Sequence, residues 1–204
     1  MSPSVTFADL PLAQPLQDAL AEAGYTNPTP IQAQSIPLLL EGRDLLGMAQ
    51  TGTGKTASFV LPLLHRMAQN PRPAPKGGAR VLVLAPTREL VSQIAEGFES
   101  FGRHLPFTVT TIFGGVSPMH QINALKNGVD VIVAAPGRLL DLVTQGECDL
   151  SRLEASCWMK PTRCWTWASQ NPSSALSRPC PKTGTPSCSP LQCPNPLRHW
   201  RKAC

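Results

Sequence analysis

From residue 155 to its end at 204, the chain has no aspartate or glutamate and no valine, isoleucine, phenylalanine or tyrosine. A stretch so poor in core-building side chains is expected to be a disordered tail. Cysteine is scarce before that point and common after it, with six of the seven residues in the tail. No pair is spaced C-x-x-C, and His199 is the tail's one histidine, so neither a zinc site nor a disulfide framework is expected. No run approaches the roughly 18 apolar residues of a membrane span. Residues 1–14 lack the basic and apolar segments of a signal peptide. These absences lead to the expectation of a soluble cytoplasmic protein with one main domain, not associated with membranes.

The net charge of +5 invites a nucleic-acid reading. Its distribution argues otherwise. Residues 1–154 carry eleven basic and thirteen acidic side chains, and residues 155–204 carry seven basic ones and no acid. The basic excess therefore belongs wholly to the tail.

Residues 1–154 alternate between two periodicities. Helical patterns fall at 16–23, 31–40, 55–67, 87–101, 117–127 and 137–144. Short apolar runs at 44–49, 80–85, 107–113 and 130–134 read as buried strands. Such alternation predicts an α/β fold, a parallel sheet flanked by helices. Ligands of these sheets bind beyond the carboxyl ends of the strands.

Residues 49–56 read A-Q-T-G-T-G-K-T, a P-loop pattern with Ala49 in place of the first glycine. Gly52 and Gly54 let the backbone of Gln50, Thr51 and Thr53 turn its N–H groups toward a phosphate chain. The helix opening at Lys55 adds its positive end. Lys55 is expected to neutralise the β- and γ-phosphates, and Thr56 to ligate Mg²⁺. A chance glycine-rich turn is the bland alternative. The apolar run before the loop and the amphipathic run after it argue against that.

Phe7 and the sequence G-Y-T-N-P-T-P-I-Q over residues 24–32 resemble the isolated aromatic and Q motif of DEAD-box RNA helicases. P-T-R-E-L from Pro86 through Thr87 and Arg88 resembles motif Ia. Gly114 and Gly115 resemble the family's glycine doublet. A-P-G-R, carrying Pro136, Gly137 and Arg138, resembles motif Ib with Ala135 in place of threonine. The wording is nearest the bacterial RhlE-like branch, and the resemblance spans about residues 5–154. It implies a RecA-like fold, ATP and Mg²⁺ as cofactors, and RNA held by its sugar–phosphate backbone. It also implies that Phe7 and Tyr25 pack around adenine and that Gln32 pairs with adenine N6 and N7. Hydrolysis of ATP then drives local strand separation, completed by a second RecA-like domain that is expected to be missing here.

Motif II, Asp-Glu-Ala-Asp, is due after Glu154 and does not follow. Joining the last base of each codon to the first two of the next restores it. Trp158 into Met159 forces Asp, and Met159 into Lys160 forces Glu. The next two junctions permit Ala and Asp. Cys164 into Trp165 forces Leu, Trp165 into Thr166 forces Asp, and Trp167 into Ala168 forces Gly. Residues 188–193 permit F-S-A-T-M-P, which contains the family's Ser-Ala-Thr motif. The expectation is a helicase reading frame to about residue 154 and an out-of-frame tail beyond it. The sheet would then lose its motif II strand and be incomplete. An inactive ATP-binding fragment is the alternative to an active helicase.

Overall fold

The computed structural model describes residues 5–48, 50 and 52–159, together with the backbone of 164–169. Helix α1 covers Gln14–Glu22 and α2 Pro30–Leu40. Strand β1 (Leu45–Met48) leads through the glycine loop into α3 (Lys55–Gln69). Then follow β2 (Val81–Leu84), α4 (Arg88–Phe101), β3 (Val109–Ile112), α5 (Met119–Asn127), β4 (Val131–Ala134) and α6 (Pro136–Thr144). Two further strands, β5 (Ala155–Met159) and β6 (Cys164–Ser169), complete the described chain.

The helices form where the apolar spacing dictates. In α4, Val91, Ile94, Ala95, Phe98 and Phe101 recur every three or four residues and are all buried. Thr87 caps this helix by accepting the Leu90 N–H at 3.3 Å. Pro30 and Pro136 occupy first-turn positions, where a missing N–H costs nothing. Fully buried side chains such as Phe59 and Phe98 each contribute about 1.5–3 kcal/mol. They join the inward residues of the sheet, among them Val81, Val83, Val131 and Val133, in one core.

The strand order is β1-β6-β5-β2-β4-β3. The four strands β3, β4, β2 and β5 are parallel, with Val81 aligned to both Val131 and Ala155. This is the expected parallel sheet flanked by helices. Strand β6 is antiparallel to both β5 and β1. Strand β1 therefore runs in the direction of β5, and five of the six strands share one carboxyl edge.

Two expectations need correction. The strand position after Glu154 is filled, and residues 155–159 and 164–169 pair as strands. The sequence A-S-C-W-M has no proline or glycine and alternates correctly. Ala155, Cys157 and Met159 are buried at 2%, 1% and 6% exposure, whereas Ser156 and Trp158 are half-buried. Burial pushes the Cys157 thiol far up, so it stays neutral and packs as a small apolar group. A segment poor in β-branched residues still forms a strand when a parallel neighbour offers its hydrogen bonds and its core face. The remainder of the predicted tail, including His199 and the 188–193 segment, lies outside the described residues.

An ion cluster staples the amino ends of the strands. Arg80, 4% exposed, donates from Nε to Glu154 Oε1 at 2.9 Å and from Nη2 to the Asn70 carbonyl at 2.8 Å. Its Nη1 lies 3.8 Å from Asp130 Oδ1. Asp130 in turn accepts from the Thr108 N–H and hydroxyl. The cluster ties β2, β4 and β5 together and connects them to the end of α3.

Candidate functional site

The glycine loop lies at the carboxyl end of β1. Gly52 and Gly54 have φ of 82° and 83°, the left-handed region that glycine tolerates without strain. Gly54 is the residue before α3, and no acidic side chain sits in that helix's first turn to offset its positive end. Lys55 and Thr56 open α3 and are half-buried. The Thr53 hydroxyl donates to the Gln50 carbonyl at 2.8 Å, closing the turn. Thr51 lies outside the described residues.

The segment before α2 braces this loop from the side. The Thr29 hydroxyl donates to the Thr53 carbonyl at 2.9 Å. Gln32, 6% exposed, donates from Nε2 to the Gly54 carbonyl at 3.0 Å and accepts the Thr29 N–H on Oε1 at 2.9 Å. A Cβ on Gly54 would collide with that amide. The Gln32 amide is thus already engaged by protein at both atoms, keeping one N–H and one lone pair to spare. The Nε2 contact ties α2 to the glycine loop. The local cause of the Gln32 placement is legible: T-P-I-Q forms a capping box, with Thr29 at the N-cap of α2.

Phe7 faces inward. It is 3% exposed and part of the core, its N–H donating to the Thr26 carbonyl. Tyr25 meets it edge-on at 6.5 Å between centroids and lies 5.8 Å from Phe101. Tyr25 is 49% exposed and is the accessible ring of the pair. Phe7 opens a single helical turn, residues 7–9, and packs in the core beside Tyr25.

The other candidates converge at the ends of β2, β3 and β4. Arg88 places its guanidinium 4.9 Å from the centre of the Phe113 ring. A Cβ on Gly115, whose φ is 80°, would come within 3.0 Å of Arg88 Nη1. Arg138 donates from both terminal nitrogens to the Val116 carbonyl at 3.1 Å. The Pro86–Arg88 turn, the Gly114–Gly115 doublet and the Pro136–Arg138 turn therefore form one surface around residues 113–116. Thr87 faces solvent, with its oxygen serving as the α4 cap. Neither Gly114 nor Gly137 has a neighbour within 4 Å of where a side chain would begin, so both present open backbone.

The profile of the DEAD/DEAH box helicase family matches residues 29–156, more than half the chain. The chain belongs to this helicase family. It is 51% identical over 149 residues to the ATP-dependent RNA helicase DeaD of Escherichia coli K12, covering 72% of this chain and 23% of that protein. The RNA helicase CrhR of Synechocystis is 42% identical over 149 residues, covering 73% of this chain and 29% of that protein. A crystal structure described as a hypothetical ATP-dependent RNA helicase from Sulfolobus tokodaii superposes with a TM-score of 0.62 at 38% identity, covering 70% of this chain and 40% of that one. The chain thus spans well under a third of the curated relatives' own length.

Several residues of this helicase domain that shape the site carried no motif signal. Phe113, Val116 and Gln121 hold the glycine-doublet loop, with Gln121 Nε2 donating to the Phe113 carbonyl at 3.0 Å. Gly97 lets α4 approach the first turn of α3, since a Cβ there would stand 3.0 Å from Thr56 Cγ2. These contacts join residues distant in sequence, which periodicity cannot reveal. No side-chain carboxylate follows β5 in the sequence. The nearest preceding acids, Asp149 and Glu154, lie before β5 and so toward the opposite edge of the sheet, and Glu154 is paired with Arg80.

Proposed function

We propose that residues 5–154 are the ATP- and RNA-binding first half of an ATP-dependent RNA helicase acting in the cytoplasm. One observation carries the reading. The glycine loop and the three arginine- and glycine-bearing turns all follow strands that share a single carboxyl edge, with an uncompensated helix N-terminus behind the loop.

The residues present fit a nucleoside triphosphate. Gly52 has open space where a Cβ would stand, and Gln50, Gly52, Thr53 and Gly54 offer backbone to phosphate oxygens, as does Thr51 by its position in the sequence. Lys55 would bring its charge to the β- and γ-phosphates, and the Thr56 hydroxyl would ligate Mg²⁺. The spare N–H and lone pair of Gln32 remain available to an adenine edge, with Tyr25 as the neighbouring ring. When bound, Mg²⁺·ATP supplies the phosphoryl chemistry, and this chain's residues bind and orient it. Arg88, Arg138, the Thr87 hydroxyl and the open backbone at Gly114, Gly115 and Gly137 suit the RNA sugar–phosphate backbone, with Pro86 and Pro136 fixing the turns. Sequence-independent backbone binding follows from that donor set. Titration with a fluorescent ATP analogue tests the reading. Lys55→Ala should weaken binding at least tenfold, and an unchanged affinity would overturn it.

The missing carboxylates favour a second reading, a nucleotide-binding fragment with negligible turnover. Mg²⁺ and the attacking water are then held by too few groups. RNA-stimulated phosphate release decides between the readings, because robust turnover sensitive to Lys55→Ala excludes the second. We further propose that residues beyond about 154 are translated one base out of frame. Two more junctions support this: Cys157 into Trp158 forces Leu, and Ser156 into Cys157 permits only Leu, Met or Val. The alternative frame thus places apolar residues directly before the forced Asp-Glu. The coding DNA tests it, and a stop codon in the neighbouring frame before codon 193 would refute it.

A further inference from the structure

We propose that Phe113 is a positioning residue for RNA binding, an aromatic seat that fixes the plane of the Arg88 guanidinium toward the nucleic-acid backbone. The inference rests on the RNA-binding reading of the Arg88 surface and assigns a role to a residue outside the motifs. Arg88 is exposed, and a solvated arginine ordinarily samples many rotamers. Here its carbon Cζ stands 4.9 Å from the ring centre of half-buried Phe113. The guanidinium carbon lies over the ring, held by the attraction of a cation for the π-cloud. The in-plane N–H groups are left for a phosphate, the bidentate geometry that arginine favours.

The seat is itself held from three sides. Gln121 Nε2 donates to the Phe113 carbonyl at 3.0 Å, and the Ala135 N–H donates to the Ile112 carbonyl at 2.7 Å, fixing the end of β3. Arg138 clamps the Val116 carbonyl two residues beyond the doublet's first glycine. Gly115 completes the pocket by absence, since any Cβ would stand 3.0 Å from Arg88 Nη1. The loop of residues 113–116 therefore preorganises one arginine while being anchored by another.

The test uses the full chain and a labelled single-stranded oligouridine RNA, with affinity followed by fluorescence anisotropy across a salt series. Phe113→Leu should weaken binding by about threefold, while Phe113→Trp keeps it, since tryptophan is the stronger cation–π partner. The salt slope should stay as in the parent for Phe113→Leu and fall by about one for Arg88→Ala. In an Arg88→Ala background, Phe113→Leu should have no further effect. An equal loss in both backgrounds would overturn the proposal by showing a merely structural role. So would a Phe113→Leu affinity equal to the parent's while Arg88→Ala binds more weakly. If Arg88→Ala itself binds RNA like the parent, the RNA-binding reading of this surface fails first, and the role of Phe113 falls with it.

Discussion

Gln32 illustrates how a capping side chain can also shape a neighbouring loop. Its amide closes the α2 capping box and grips the Gly54 carbonyl, so the loop's shape depends on it before any nucleotide arrives. Gln32→Leu should leave the half-buried Thr29 N–H without its acceptor and the Gly54 carbonyl with only its Ser58 donors, costing about 1–3 kcal/mol, and should weaken nucleotide binding in parallel. Chemical denaturation and analogue titration read the two effects. Gly54→Ala should abolish analogue binding, because alanine is strained at φ 83° and its Cβ meets the Gln32 amide. His65 offers a pH test. Its Nδ1 accepts the Ala13 N–H at 3.0 Å, so the imidazole is neutral with its proton on Nε2. Burial lowers its pKa below the ordinary 6.5. The unfolded chain therefore takes up the proton first as pH falls. The stability this histidine contributes is complete above pH 6.5 and is lost as pH drops toward the lowered folded value. His65→Asn should flatten that part of a stability–pH profile, and an unchanged slope would contradict the assignment.

At the scale of elements, Arg80 is the joint that holds three strands in register. Arg80→Met would leave Asp130 buried without its cation, and a loss of about 3–5 kcal/mol is expected from urea unfolding. A loss below about 1 kcal/mol would show that the cluster is dispensable. Strand β5 depends on this joint, because the Glu154 N–H donates to the Arg80 carbonyl at 2.7 Å as the strand begins. The order of strands and helices over residues 5–154 was legible from the two hydrophobic periods, with ends shifting by a few residues. Helix α4 matched almost residue for residue because its cap and its apolar stripe are both local. Strand β3 shrank from the expected 107–113 to Val109–Ile112, since only those residues meet a partner in β4. Strand β5 was illegible in composition, which averages over 50 residues and misses five that alternate correctly.

For the whole molecule, the unusual feature is β1 at the margin of the described sheet. Leu46 and Met48 are 64% and 78% exposed on one face, while Gly47 is buried on the other. Exposed apolar side chains on a strand at a sheet margin favour self-association. Replacing both with threonine should raise the concentration at which light scattering appears, without changing analogue affinity. An unaltered onset would place the aggregation-prone surface elsewhere. By itself, the sequence determined the α/β class, the glycine loop and the family, since these rest on short-range patterns of residue type. Only the tertiary structure decided that Phe7 is core, that Gln32 is shared with the loop, that Phe113 seats Arg88, and that residues after 154 complete the sheet with one strand reversed. Each of those depends on pairings between distant segments, where burial and hydrogen-bond geometry select partners that no local pattern encodes.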